Sequence, residues 1–160
     1  MNFTLRPARK EDAPAIRALI WKVRINPLGL DWRHFIIAVD ERERLIATGQ
    51  IKPHRDGTFE LASIATEPAW RGRGVASEVI RRLMDQAPRP LYLMTITPTA
   101  PFYLRFGFRA LNSSAMPPDI ARLARLAAWL RRITFSRQPA LVVMAIGLNE
   151  IGVFSITALL

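Results

Sequence analysis

Ile64-Ala65-Thr66-Glu67-Pro68-Ala69-Trp70-Arg71-Gly72-Arg73-Gly74-Val75-Ala76-Ser77 runs from a strand pattern through a turn into the start of a helix. Pro68 has no backbone N–H and ends the strand. The first N–H groups of the helix have no internal partner, and the helix dipole adds partial positive charge there. Gly72 and Gly74 allow a ligand to approach the backbone with no Cβ in the way. Arg71 and Arg73 add full charge. The turn reads as an anion site of the kind that holds phosphate. Reduced to Arg-x-x-Gly-x-Ala the pattern arises by chance about once in ten chains of this length, so its context has to carry the assignment.

Upstream, Phe3 to Arg6 is a strand candidate. Glu11 and Asp12 suit a first helical turn, and Ile16, Leu19, Ile20 and Val23 follow at helical spacing. Asn26-Pro27-Leu28-Gly29 breaks that helix. Phe35 to Val39 and Leu45 to Ile51 read as strands. His54-Arg55-Asp56-Gly57 reads as a hairpin turn, with His54 exposed in it and Thr58 to Thr66 as the return strand.

Downstream, Val75, Val79, Ile80, Leu83 and Met84 form one apolar stripe, with Arg81, Arg82 and Asp85 facing away. Leu91 to Ile96 is a strand, Ala100 to Phe106 a short helix stopped by Gly107, and Phe108 to Leu111 another strand. Asp119 is a candidate cap for a helix to about Ile133, its inner face drawn from Ile120, Leu123, Leu126, Ala127 and Leu130, with Arg122, Arg125, Arg131 and Arg132 largely outside. Leu141 to Ile146 is the last clear strand. Strands mixed with helices, some joined by a hairpin, predict a mixed α/β (α+β) sheet.

The 160 residues are half hydrophobic, enough for one globular domain with a real core. No cysteine is present, which excludes a thiol nucleophile, a thiolate metal site and disulfides. No metal site is expected. The first twelve residues carry charge without an apolar run, so a secretory signal is not expected and a cytoplasmic location is. The formal charge of +10 is almost all arginine, the only lysines being Lys10, Lys22 and Lys52. Because the arginines are scattered, no specific nucleic-acid partner is expected. Residues 147–160 form an apolar extension interrupted by Asn149 and Glu150. It is expected at the fold edge or at an interface such as a homodimer's, and not as a membrane span.

The turn and a second landmark resemble the GNAT superfamily of acetyl-CoA-dependent N-acetyltransferases. That family's cofactor motif, Gln/Arg-x-x-Gly-x-Gly/Ala, is met by Arg71, Gly74 and Ala76. Phe102-Tyr103-Leu104-Arg105-Phe106-Gly107-Phe108 is similar to its aromatic-Tyr helix ending in Gly-Phe. The resemblance implies a single domain over residues 1–146 and a mostly antiparallel mixed sheet, splayed between its fourth and fifth strands and flanked by helices. Acetyl-CoA would lie at the splay, its pantetheine arm along Ile64, Ala65 and Thr66. Its pyrophosphate would rest on the N–H groups of Arg71, Gly72, Arg73, Gly74, Val75, Ala76 and Ser77, and a backbone N–H near Ala65 would polarise the thioester. Tyr103 would protonate the leaving thiolate and Glu60, eleven residues before Arg71, would be the base, with bound water as the alternative. The Asn that many members carry after the fifth strand is missing, and Thr97 is its candidate replacement. Acceptor amines would meet the stretch Arg24 to His34, where Asp31 would attract an ammonium and Trp32 would supply a wall; a loop merely anchored by Trp32 is the alternative. A basic nucleic-acid-binding protein and a non-catalytic acyl-CoA sensor on the same fold stand as alternative functions.

Overall fold

The computed structural model describes residues 2–133, 139–148 and 153–154. The chain divides into two compact units, Met1–Lys52 with Leu61–Ala87, and Pro53–Glu60 with Pro88–Leu160. Strand β4 (Phe59–Thr66) contributes to both.

In the first unit the strand order is β1 (Phe3–Pro7), β2 (Phe35–Asp40), β3 (Leu45–Pro53), β4. β1 and β3 each run antiparallel to β2. Every residue of β2 is buried, the outcome expected of a strand with apolar residues on both faces. Phe35, Ile37 and Val39 pack with Ile16, Leu19 and Ile20 of helix α1 (Ala13–Lys22). Helix α2 (Val75–Gln86) also packs against β2 and buries Val75, Val79, Ile80 and Leu83. Glu11 and Asp12 lie in a short 3-10 turn ahead of α1, where Asp12 takes a bidentate hydrogen bond from Arg6 at 2.7 and 3.0 Å. Two lysines are held here: Lys22 pairs with Glu67 at 2.6 Å, and Lys52 reaches toward the Leu28 carbonyl.

The second unit starts from a short parallel ladder. Phe59 pairs with Leu91 and Glu60 with Tyr92 of strand β5 (Leu91–Ile96). Among the described residues β4 and β5 register at these two pairs, a ladder as short as a splayed parallel pair requires. β5 then pairs antiparallel with β7 (Leu141–Ile146) along its whole length, and β7 with β6 (Arg109–Leu111). Of the C-terminal extension, β8 (Val153–Phe154) pairs with β6; residues 149–152 and 155–160 lie outside the described ones. Helix α4 (Pro118–Ile133) inserts Ile120 beside Tyr92, Leu111, Val143 and Ala145. The expected mixed, mostly antiparallel α/β sheet with one parallel step is therefore present.

Three local expectations change. Helix α3 spans Ala100–Leu104 and ends two residues early, where Gly107 at φ +89° turns the chain. Asp119 is inside α4 and does not cap it. Its N–H is instead taken by Asp56 at 3.0 Å, and its own carboxylate accepts the Asp56 N–H at 3.2 Å, a reciprocal clasp between hairpin tip and helix. Leu126 is exposed, so the inner face of α4 turns through Ile120 and Ala124 rather than Leu126. Side chains from Leu130 onward in this helix lie outside those described. Among the described residues no helix is long and apolar enough to cross a membrane.

Gly49 of β3 faces the α2 stripe. A Cβ there would stand 2.5 Å from Ile64 Cδ1, 2.8 Å from Leu83 Cδ1 and 3.0 Å from Val79 Cγ1. Gly49→Val should therefore overpack this layer and lower unfolding free energy by about 1–3 kcal/mol in urea denaturation.

Candidate active site

The turn after β4 is shaped by two left-handed glycines. Glu67 donates its N–H to the Ile46 carbonyl at 2.8 Å, and Pro68–Trp70 make a single 3-10 turn. Gly72 then sits at φ +74° and Gly74 at φ +80°. An L-residue in that region costs about 1–2 kcal/mol, so glycine is the natural occupant. No atom lies within 4 Å of where a Cβ would be at either position. Gly74 is the N-cap of α2 and has no side chain to bond the first helical N–H groups. These groups therefore await an external acceptor. Residues 71–74 are exposed, whereas Val75 and Ser77 are buried. Arg73 lies over the Trp70 ring, 5.5 Å from its centroid. Next to them is a depression of about 370 Å³, lined by Arg42, Arg44, Trp70 and Arg73 among others. Asp40 also lines it, but its carboxylate accepts from the Arg44 guanidinium and two backbone N–H groups, which hold its pKa below the usual range. With Glu41 also in the lining, three arginines stand against two carboxylates, an excess of one positive charge. The geometry fits a polyanion laid on the helix N-terminus.

Of the residues expected along the pantetheine arm, Ala65 is buried and Ile64 and Thr66 are half-buried. Just before them Ser63 adopts φ +56°. The strand alternation breaks at this residue, and nothing in the sequence signals it, since serine has no special preference for that region. The kink is held from β3: Gln50, fully buried, donates its side-chain N–H to Ser63 Oγ at 2.9 Å and to the Gly29 carbonyl at 3.3 Å. Asp31 caps the 3-10 turn Trp32–His34 by accepting the Arg33 N–H and pairs with the Arg33 guanidinium at 3.1 Å. Trp32 packs onto the α1 core. Both acceptor candidates are thus engaged in anchoring their own loop.

In the second unit Glu60 is buried, only 5% exposed. His54, expected to be exposed, is its partner: Nε2 lies 2.9 Å from Oε2, and both side chains are 7% exposed. The reason is the hairpin. β3 continues to Pro53, so His54 opens the turn, its N–H bonding the Thr58 carbonyl at 2.9 Å and its carbonyl accepting the Gly57 N–H at 3.2 Å. That closure sets the ring beside Glu60 on the return strand. A glutamate six residues after a histidine across an Asp-Gly turn is the one sequence signal for the pair.

Tyr103 of α3 is nearly enclosed, in edge-to-face contact with Phe102 and Phe108 at 5.2 and 6.3 Å. Burial pushes its phenol up to about 12. Tyr92 is also raised, by burial and then by the Asp56 charge. Thr97 donates its hydroxyl to the Ala140 carbonyl at 3.1 Å, so only its oxygen lone pairs remain for a ligand. Among the described residues no cluster of three or more histidine, aspartate and glutamate side chains is placed to hold a metal.

The acetyltransferase (GNAT) family model matches residues 4–108. Among solved structures, a Mycobacterium tuberculosis protein in complex with CoA superposes with a TM-score of 0.69 at 19% identity, over 91% of this chain and 99% of that one. N-acetylglutamate synthase from Neisseria gonorrhoeae, complexed with coenzyme A and N-acetyl-glutamate, gives 0.66 at 16% identity over 92% of this chain, which spans 36% of the synthase chain. A GNAT-family acetyltransferase from Staphylococcus aureus gives 0.62 at 13% identity over 91% of this chain and 100% of its own. At such identities the likeness is one of fold. No curated protein sequence matches the chain.

The tyrosines supply a direct test of the second unit. The sequence has two. In a tyrosinate absorbance titration neither should ionise at the usual value of 10, and the step near 12 should vanish in Tyr103→Phe. Tyr103 stays neutral in the folded chain where an unfolded tyrosine would ionise. Its contribution to stability is therefore complete below pH 10 and lost as pH rises through about 12.

Proposed function

This chain belongs to the acetyltransferase (GNAT) family, and we propose that it moves an acetyl group from acetyl-CoA to a primary amine by direct attack. The observation that carries the reading is the exposed turn Arg71 to Gly74, whose two left-handed glycines leave the N-terminus of α2 uncapped. Arg71, Arg73 and the N–H groups of Val75, Ala76 and Ser77 would hold the pyrophosphate. Ile64, Ala65 and Thr66 would lie along the pantetheine arm. Acetyl-CoA supplies an activated thioester.

The protein's residues then manage two protons. An ammonium has no lone pair, so the acceptor must lose a proton before its nitrogen bonds the carbonyl carbon. Glu60 takes that proton on Oε1, the oxygen His54 leaves unbonded among the described residues. As the C–S bond breaks, charge collects on sulfur, and Tyr103 meets it with a phenolic O–H. A typical thiol has a pKa near 8.5. Complete transfer from a phenol at about 12 is uphill by roughly 5 kcal/mol against a water-like thiolate. Tyr103 therefore acts chiefly as a hydrogen-bond donor to the developing thiolate, which takes its proton from the second one that the nitrogen sheds as the tetrahedral adduct collapses. The net reaction converts an ammonium and the thioester to an amide, a thiol and one proton.

The paired arginines also favour this reading over a nucleic-acid surface. Arg6, Arg33, Arg44, Arg81 and Arg122 each pair with an acid close in sequence.

Calorimetry with acetyl-CoA should show saturable binding that Gly74→Trp weakens by about 10- to 100-fold, the cost of losing charge-assisted contacts at the turn. Unchanged binding would overturn the cofactor assignment. A panel of amines read by thiol release should identify acceptors, and Glu60→Gln should lower turnover of the best one about 100-fold.

A further inference from the structure

His54 and Glu60 are the feature of the second unit that the reaction scheme does not exhaust. A buried carboxylate needs a partner, and Glu60 has no arginine or lysine in ion pairing with it among the described residues. Its partner is the His54 imidazole at 2.9 Å. A carboxylate only accepts, so the shared proton belongs to Nε2. His54 takes Oε2 alone. Neither Oε1 of Glu60 nor Nδ1 of His54 is among the sealed, unpartnered polar atoms of the described residues.

The charged surroundings are few. Asp56, at the hairpin tip, interacts electrostatically with His54 and is itself held low by Thr58 and the Asp119 N–H of α4. Tyr92 of β5 stands opposite Glu60 in the parallel ladder, and Arg55 beside His54 is exposed.

We propose that His54 is a positioning residue that sets the orientation of Glu60. Nε2 of His54 donates to Oε2 and leaves Oε1 as the base. The step balances: the proton leaves the acceptor's nitrogen, bonds Oε1, and departs to solvent between turnovers. This rests on Glu60 being the base.

Two measurements on the full chain test it. The first needs no acceptor. Long-range proton–nitrogen NMR of the His54 ring should show the proton on Nε2, and the Nε2 resonance should move in Glu60→Gln, because its charged acceptor is gone. A ring proton on Nδ1 alone overturns the proposal. The second uses the amine turned over fastest in the panel. His54→Gln keeps a donor to Oε2 and should retain kcat within about 3-fold. His54→Leu should lose about 10- to 100-fold in kcat with acetyl-CoA affinity unchanged, as expected for a misplaced base. Equal kcat in wild type and His54→Leu overturns the positioning role while leaving the Glu60 reading intact. Full activity in Glu60→Gln overturns the base assignment itself.

Discussion

A helix cannot satisfy its own first N–H groups, and α2 opens on a residue with no side chain to do it. That unmet requirement organises the first unit. The strand leading in must stop, which Pro68 ensures. The backbone must reverse hand twice, which only Gly72 and Gly74 do without strain. The helix leading out must be anchored hard enough to hold its exposed end still. Val75, Val79, Ile80 and Leu83 anchor it against β2, a strand with no solvent-facing side. The core therefore exists at this place to fix a polar feature that points outward.

The second unit solves a different problem, the placement of acid–base groups in a low-dielectric setting. Burial keeps Tyr103 a phenol across the whole physiological range. Glu60 is also buried, and a hydrogen-bonded imidazole answers its desolvation cost. The same hairpin that positions His54 is fastened at its tip to α4 by the Asp56–Asp119 clasp. The hairpin that carries the His54–Glu60 pair is thus tied to α4 by two backbone N–H to carboxylate bonds.

Much of this was legible in the chain. Apolar periodicity placed α1, α2 and the buried strands, because burial is a repeated, additive signal. The glycine turn and the Tyr103 helix were legible because their geometry demands particular residue types. What escaped was non-local. The left-handed φ of Ser63 follows from a buried glutamine thirteen residues away on another strand, and no property of serine announces it. The burial of His54 depended on where β3 stopped, a boundary set by hairpin pairing. Leu126 looked like a core residue because helical spacing alone cannot tell how far around the helix the neighbour reaches. Asp31 and Trp32 drew attention as an acid beside an aromatic, and both are occupied in building their own turn.

The preference for arginine has a chemical consequence in a protein that handles thioesters. Only three of its cationic side chains are primary amines, and two of those are held, Lys22 by Glu67 and Lys52 against the loop at Leu28. A guanidinium stays protonated at any working pH and is no nucleophile toward an acyl donor. The positive charge that Arg71 and Arg73 give the turn is therefore resistant to acylation. A lysine-rich surface of equal charge would be gradually neutralised by the very reagent it attracts; this one keeps its field constant whatever the local supply of activated acyl groups.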